Sequence, residues 1–323
     1  MSDREEKTGK NDNGKKNKGG KRNKIVAIEM IILVLLIMAA VAIFIQRDKS
    51  VKEAAKIHDQ KAEKTEQTSQ DAQKENEIEE ETEGTEEEAG DRDAAVPDRS
   101  NFAVQPGVSV GTTEQSDEKI VYLTLDDGPS DNTQAVLDIL DKYNAKATFF
   151  VTGEMPEYKD MIKAAYDKGH TIGMHTYSHD YAKVYASVDA YFQDLDQIGQ
   201  MVQEEIGYVP CFIRFPGGSS NTVSKKYTAG IMSTLVQEVQ NRGYQYYDWN
   251  GSSGDGSVRT TEELVAQATS FDSNNIILLC HDSHGKQTTV EALPQIIEHY
   301  QSLGYTFKAL DRDSFVAHHG VNN

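Results

Sequence analysis

Hydrophobic residues are arranged in different ways along the 323-residue chain, and each arrangement predicts a different kind of segment. Residues 1–24 show no apolar periodicity, whereas residues 25–45 are apolar except for Glu29. Residues 46–118 are again polar. From Lys119 onward, short apolar runs alternate with longer amphipathic stretches, which is the pattern of a folded domain.

The apolar stretch Ile25–Ile45 predicts a transmembrane anchor, because about 20 apolar residues suffice to cross the core of a bilayer. Residues 1–24 carry nine Lys or Arg against four acids. A basic flank stays in the cytoplasm, which places the rest of the chain outside the cell. A cleaved signal peptide is the alternative, because Ala40-Val41-Ala42 resembles a cleavage site. The length of the apolar run favours the uncleaved anchor.

Residues 46–118 hold 21 acids against nine bases and almost no aromatic residues. Such a segment cannot bury enough apolar surface to fold, so we predict a disordered acidic linker. The net charge of −19 is the sum of +5 in residues 1–24, −1 in the anchor, −12 in the linker and −11 after Glu118. An acidic exported domain argues against binding of nucleic acid, whose phosphates it would repel.

Residues 119–316 predict one α/β domain, followed by a short tail at 317–323. Strands are expected near residues 120–125, 146–151, 171–174, 211–215, 244–249, 276–281 and 305–309. Helices are expected near residues 132–143, 157–168, 187–206, 223–241, 260–270 and 288–302. Alternation of strands and helices implies parallel strands with right-handed crossovers. Seven such strands predict a distorted (β/α) barrel or a strongly curled sheet.

Six charged or titratable residues fall at the carboxyl ends of the predicted strands, where barrel enzymes gather their working groups. These residues are Asp126, Asp127, His175, Arg214, Asp248 and His281. Placement at one rim is stronger evidence for a site than any single motif.

The pair Asp126-Asp127 and the pair His175 and His179 together suggest metal chemistry. Two histidines four residues apart and one acid are a ligand set that leaves room for water and substrate on a catalytic divalent metal. The other aspartate is then a natural general base. Each pair has a plainer reading, as turn residues or as surface histidines. Their combination favours a metal-dependent hydrolase.

Four segments, in this order, resemble the signature blocks of the polysaccharide deacetylases, the carbohydrate esterases with a NodB homology domain. They are Thr124–Gly128, His175–His179, Arg214–Gly217 and Leu279–His281. The resemblance covers roughly residues 118–312 and includes strand-like segments at 146–153 and 304–307. It implies a distorted barrel of about seven strands, in agreement with the pattern of the sequence.

The resemblance also implies roles for individual residues. Asp127, His175 and His179 would hold one divalent metal, typically zinc, although related enzymes also work with cobalt or manganese. Asp126 would be the base that deprotonates the attacking water, and Arg214 would hold Asp126 in place and keep it ionised.

His281 would be the general acid that protonates the departing sugar amine. The backbone N–H of Gly217 would stabilise the tetrahedral oxyanion. Leu279 and Gly218 would contact the substrate, with Leu279 lining a pocket for the acetyl methyl group.

One block departs from the family pattern. The family usually shows an Asp-x-x-Asp-Trp segment whose last Asp tunes the acid histidine, whereas this chain has Trp249–Gly256 there. Aligning Trp249 with the tryptophan that often precedes the block gives the tuning role to Asp255 and puts Gly256 in place of the block's own Trp. Asp248 is the alternative partner for His281, and Asp255 is favoured.

The substrate implied is an acetylated amino-sugar polymer, with N-acetylglucosamine of peptidoglycan as the first choice. Chitin-like oligomers, N-acetylmuramic acid and a surface poly-N-acetylglucosamine stay open. Two other functions are compatible with the sequence: a metal-dependent amidase that cuts the peptide stem, and a non-catalytic glycan-binding relative. The two cysteines, Cys211 and Cys280, fall on different predicted strands, and we expect two free buried thiols.

Overall fold

The structure is a computed structural model that describes residues 99–322. The predicted basic tail, the anchor Ile25–Ile45 and the linker as far as residue 98 lie outside the described residues. None of the helices within residues 99–322 has the length and apolar character needed to cross a bilayer.

Strands and helices alternate along the described chain. The strands are β1 (Ile120–Asp126), β2 (Ala147–Val151), β3 (Thr171–Met174), β4 (Phe212–Ile213), β5 (Gln245–Tyr246), β6 (Gly251–Ser252), β7 (Asn275–His281) and β8 (Thr306–Phe307). The α-helices are α1 (Thr133–Lys142), α2 (Asp160–Asp167), α3 (Tyr181–Val184), α4 (Val188–Ile206), α5 (Ile231–Asn241), α6 (Thr261–Ala268) and α7 (Gln287–Ser302). Short 3-10 helices lie at Ser100–Phe102, Pro156–Tyr158 and Ser224–Lys226.

The strands form one parallel sheet in the order β5-β4-β3-β2-β1-β7-β6, and β8 pairs with the start of β1. Asp126 at the end of β1 is in register with Phe150 on one side and His281 on the other. The curled sheet is a half-barrel, because within residues 99–322 no ladder joins its two edge strands, β5 and β6. The parallel α/β prediction is confirmed, and the sheet stops short of a closed barrel.

Apolar side chains pack on both faces of the sheet. The larger cluster includes Leu123, Leu125, Leu278 and Cys280 together with the apolar faces of the helices. The smaller cluster lies on the other face and includes Tyr122, Phe150, Phe212, Tyr247 and Ile277. Side chains alternate between the two faces along a strand. Thr124 and Asp126 therefore continue the inner face, beyond Tyr122, towards the carboxyl end of β1.

The domain extends beyond the predicted boundaries at residues 119 and 316. Thr112 forms a bridge with Phe315, and Ala103 forms one with Pro210. Val110, Leu310, Phe315 and Val316 belong to the inner cluster. Within the stretch predicted as linker, Phe102, Val104 and Val110 thus pack against the inner cluster, whereas residues 113–118 are exposed.

The tail predicted at 317–323 also packs onto the domain in its described part. The amide of Asp248 donates to the carbonyl oxygen of Ala317 at 3.0 Å. The ring of His318 stacks on Tyr246 with the centroids 3.9 Å apart. Residues 317–322 therefore extend the structure past β5 towards the loop that follows β4.

Several predicted elements are shorter than expected. β4 and β5 have two residues each, and β6 and α3 were not predicted. The helix expected at 223–241 begins only at Ile231, because Gly230 has φ +77° and ends the preceding turn. Both cysteines are free and buried, as predicted.

Candidate functional site

Two acidic side chains come from the carboxyl end of β1. Asp126 is the last residue of the strand and is 2% exposed. Asp127 has φ +69°, a left-handed conformation at which the chain leaves the strand. Successive side chains of an extended strand face opposite sides, so the turn at Asp127 allows both carboxylates to face one site. His175 Nε2 lies 3.7 Å from Asp126 Oδ2 and 3.5 Å from Asp127 Oδ1.

The two histidines come from the loop that follows β3. His175 Nδ1 donates to the carbonyl oxygen of Arg214 at 2.8 Å. In a neutral imidazole this hydrogen bond leaves Nε2 as the unprotonated nitrogen, directed at the carboxylates. Burial, the largest influence, lowers the pKa of His175 in spite of the two nearby aspartates, which favours this neutral form. His179 Nε2 lies 3.3 Å from Asp127 Oδ1.

Asp127, His175 and His179 fit a divalent metal. One ligand atom from each lies within 4.8 Å of the others. Asp127 Oδ1 is buried and, within residues 99–322, has no hydrogen-bond partner, an arrangement that is costly without a cation. Burial by itself would raise the pKa of Asp127, but His175, His179 and His281 outweigh burial and lower the pKa. Nitrogen and carboxylate donors of this kind suit zinc and neighbouring transition metals.

Arg214 anchors the Asp126 side of the site. Its Nη1 donates to Asp126 Oδ1 at 2.7 Å and to Thr124 Oγ1 at 2.8 Å. Its Nε and Nη2 donate to the carbonyl oxygens of Tyr247 and Asp248. The Arg214 side chain is fully buried and lies over the Phe150 ring, 4.3 Å from its centroid. A fixed guanidinium in this position holds one carboxylate oxygen and leaves Asp126 Oδ2 facing the histidines.

His281 and Asp255 form the opposite side. His281 Nδ1 donates to Asp255 Oδ1 at 2.8 Å, and the backbone N–H of His281 donates to Asp255 Oδ2 at 2.7 Å. Thr289 Oγ1 adds a hydrogen bond to the same Oδ2. Burial alone would lower the pKa of His281, but Asp255 raises it to about 9. His281 Nε2 lies 4.0 Å from Asp127 Oδ2, so the free nitrogen of this imidazole faces the candidate metal ligands.

Asp248 has different partners from those that the alternative prediction gave it. Its carboxylate accepts hydrogen bonds from the amide and hydroxyl of Ser219 and from the amide of His319. Asp255, and not Asp248, therefore lies against His281. Asp248 instead joins the turn after Arg214 to the C-terminal residues.

That turn contains Gly217 and Gly218, with φ +75° and +76°. A Cβ at Gly217 would lie 2.6 Å from the hydroxyl of Tyr181, and one at Gly218 would lie 2.9 Å from the ring of Trp249. Both the backbone conformation and the lack of space therefore require glycine at these positions. Within residues 99–322, the amide of Gly217 has no acceptor, which leaves it free to donate to a ligand.

The other predicted substrate contact, Leu279, lies in β7 two residues before His281 and is 7% exposed. Sequence reasoning missed Asp194 of α4, whose carboxylate accepts hydrogen bonds from the amides of Tyr177 and Ser178. A signal was present in the sequence. Asp194 is an acid in helical register with the apolar residues Tyr191 and Ile198. Sequence reasoning also missed Thr289, whose hydroxyl donates to Asp255, and no feature of the sequence pointed to it.

Comparisons with known proteins identify the family of the chain. The family model of the polysaccharide deacetylases matches residues 113–236. A peptidoglycan-N-acetylglucosamine deacetylase of Bacillus cereus is 29% identical over 226 residues, which cover 65% of this chain and 78% of the relative.

Two solved structures extend the likeness to the fold. The catalytic domain of a peptidoglycan N-acetylglucosamine deacetylase from Eubacterium rectale is 47% identical, with a TM-score of 0.63, over 65% of this chain and 97% of that domain. The polysaccharide deacetylase Bc1974 from Bacillus cereus is 30% identical, with a TM-score of 0.53, over 64% and 97%. Both alignments cover nearly the whole solved domain. The chain therefore belongs to the polysaccharide deacetylases, the carbohydrate esterase family of hydrolases that its signature blocks resemble.

Proposed function

We propose that the protein is a metal-dependent deacetylase that removes N-acetyl groups from N-acetylglucosamine residues of peptidoglycan and releases acetate. One observation carries the proposal: the candidate metal ligands have a carboxylate, that of Asp126, on one side and an imidazole, that of His281, on the other. Asp126 Oδ2 is 3.7 Å from His175 Nε2, and His281 Nε2 is 4.0 Å from Asp127 Oδ2. Amide hydrolysis needs a base for water and an acid for the leaving nitrogen.

In this mechanism Asp127, His175 and His179 would hold the cation, with zinc as the first choice. When bound, a divalent cation supplies Lewis-acid chemistry that polarises a carbonyl and acidifies water. Asp126 takes a proton from the attacking water at Oδ2, because its Oδ1 is held by Arg214. His175 keeps the tautomer required of a ligand through its hydrogen bond to the Arg214 carbonyl.

The remaining steps need an oxyanion donor, which is Gly217, and an acid, which is His281. The free amide of Gly217 donates to the oxygen that becomes negatively charged. His281 then transfers its Nε2 proton to the departing amine nitrogen, while Asp255 holds Nδ1 and stabilises the protonated form. Leu279 lies two residues before His281 on the same strand and lines the pocket for the acetyl methyl group. An amine is a poor leaving group unless it is protonated, so the high pKa of His281 suits the task.

The proposed substrate and location rest on different observations. Two of the three relatives named above are peptidoglycan N-acetylglucosamine deacetylases. The apolar stretch Ile25–Ile45, with its basic flank, would anchor the chain in the cell membrane with the catalytic domain outside. The acidic linker would then let that domain reach a wall polymer beyond the membrane.

The test is acetate release by the full-length protein in detergent, with N-acetylated peptidoglycan as substrate. We expect activity to disappear on chelation and to return with Zn²⁺ or Co²⁺. His179→Gln should abolish that recovery. His284→Gln is the matched control, because His284 is an exposed histidine 3.0 Å from Asp131, outside the ligand cluster, and it should leave activity unchanged.

Other results would identify other functions. Release of peptide without acetate would indicate an amidase. Glycan binding without either product, and without a response to metal, would indicate a non-catalytic binding protein. Acetate release that survives exhaustive chelation would contradict the proposed metal dependence.

A further inference from the structure

The loop that carries both candidate metal-binding histidines has a strained backbone. Thr176 has φ +72° and His179 has φ +46°, and neither is glycine. A non-glycine residue in the left-handed region is strained and persists only where its surroundings hold it. The histidine loop, residues 175–179, therefore needs outside contacts to keep its conformation.

One edge of the loop is held by the neighbouring strand. The amide of His175 donates to the carbonyl oxygen of Val151 at 2.9 Å, and the amide of Gly153 donates to the carbonyl oxygen of Tyr177 at 2.9 Å. These bonds continue the pairing of β2 with β3 past the end of the ladder. They fix where the loop begins but do not engage the amides in its middle.

Asp194 of α4 binds those central amides. One oxygen, Oδ1, accepts from the amide of Tyr177 at 2.6 Å and from the amide of Ser178 at 3.0 Å. Both donors lie between His175 and His179 in the chain. Hydrogen bonds to an ionised carboxylate are about twice as strong as bonds between neutral groups.

The location of Asp194 sets it apart from an ordinary surface acid. It is 8% exposed and lies on the buried face of α4, beside Leu195. The helix is capped by Ser187, so Asp194, seven residues further on, makes no capping bond to its own helix. Its hydrogen bonds go instead to the histidine loop.

We propose that Asp194 is a positioning residue for the metal site. By holding the amides of Tyr177 and Ser178, it fixes the strained loop so that the Nε2 atoms of His175 and His179 face Asp127 together. This inference rests on the proposed metal dependence. It concerns the affinity for the cation rather than a contact with the substrate.

Metal affinity gives a test that is independent of turnover. Zn²⁺ would be titrated into the metal-free full-length protein in the presence of a competing chelator. We expect Asp194→Ala to raise the dissociation constant roughly 10- to 100-fold, the usual result of removing a group that orients metal ligands. Asp194→Asn keeps an acceptor oxygen and should recover most of the affinity. Asp196→Ala, an exposed acid on the same helix, is the control and should bind as the wild type does.

Thermal unfolding of the metal-free variants separates positioning from a general structural role. If Asp194→Ala does not fold, Asp194→Leu replaces it, because leucine fills a similar volume without an acceptor. Binding by these variants within twofold of the wild type would overturn the inference. Failure of the wild type itself to bind Zn²⁺, Co²⁺ or Mn²⁺ would instead remove the proposed metal dependence, so the two failures are distinguishable.

Discussion

Each of the two sides of the candidate site proposed to transfer a proton contains an ion pair, and the two pairs differ in how far they are buried. On the base side, the side chains of Arg214 and Asp126 are 0% and 3% exposed. On the acid side, His281 is 16% exposed and Asp255 is 2% exposed. Arg214 and Asp255 are buried in their pairs. Of the two side chains that they hold, Asp126 is buried as well and His281 is partly exposed to solvent.

This difference follows from what each side has to do. Arg214 is permanently charged and donates to four groups, so Asp126 is held by a cation that cannot titrate. In the proposed mechanism His281 gains and loses a proton in each cycle, and its partner Asp255 carries the constant charge. Asp255 has a lowered pKa because hydrogen bonds and charge from His281 outweigh its burial. In each pair, a buried group of opposite charge holds the side chain that faces the candidate metal ligands.

The largest expected effect is at the base. Asp126→Asn should lower kcat roughly 10³-fold, because general base catalysis contributes about 10²- to 10⁴-fold. The ligand cluster does not include Asp126, so Zn²⁺ affinity should change little. Acetate release and metal titration would be measured together, with the exposed Asp131→Asn as the control. A loss of less than tenfold would give the base role to another group.

The second prediction concerns stability. Arg214→Met should lower the free energy of unfolding of the metal-free protein by about 3–5 kcal/mol, because it leaves Asp126 buried without its cation. Urea denaturation would measure the loss. Arg259→Met, at an exposed position, should stay within about 0.5 kcal/mol of the wild type. Asp255→Asn should lower the free energy of unfolding by less than Arg214→Met does, because the partner that it leaves, His281, is partly exposed to solvent. A larger loss for Asp255→Asn would contradict this difference between the two ion pairs.

The third prediction is a pH effect on the acid side. His281 must be protonated to act as the acid, and Asp255 raises its pKa to about 9. Asp255→Asn should return this pKa towards 6.5, so the alkaline limb of the kcat profile moves to lower pH and kcat at pH 8 falls roughly 30-fold. A pH–rate profile measures the shift.

The same pair predicts how stability depends on pH. Because the pKa of His281 is raised on folding, the Asp255 pair contributes stability that is fully present below about pH 6.5. That contribution is lost as the pH rises through about 9. Asp255→Asn should remove this dependence from urea denaturation of the metal-free protein. A wild-type profile without an alkaline loss would contradict the assignment.

The smallest expected effect is at Asp248, which serves as the counterpart of Asp255. Asp248→Asn disturbs the hydrogen bonds to Ser219 and His319 that hold the turn carrying Gly217. If the lost hydrogen bonds raise the activation free energy by about 1 kcal/mol, kcat falls roughly fivefold. The alkaline limb should not move, because Asp248 does not contact His281. A shift like that of Asp255→Asn would return the tuning role to Asp248.

The pattern of the sequence predicted much of this arrangement. Apolar runs located β1, β2, β3 and β7, whose buried residues are continuous in the chain. The sequence pattern did not predict β6, and it predicted β4 and β5 to be longer than they are. Strands of two residues are too short to show a periodic pattern. The packing of residues 99–118 was also missed, because their short apolar runs are separated by Gly, Pro and polar residues and show no clear helical or strand period.

The sequence by itself determined which chemical groups the site contains and at which ends of which strands they lie, because motif spacing and strand periodicity are local properties of the chain. Only the tertiary structure decided the partners. Asp248 and Asp255 are seven residues apart and equally acidic, yet one binds Ser219 and the other binds His281. Asp194 reaches the histidine loop only because α4 packs beside it. Such choices depend on contacts between distant segments, which no local pattern records.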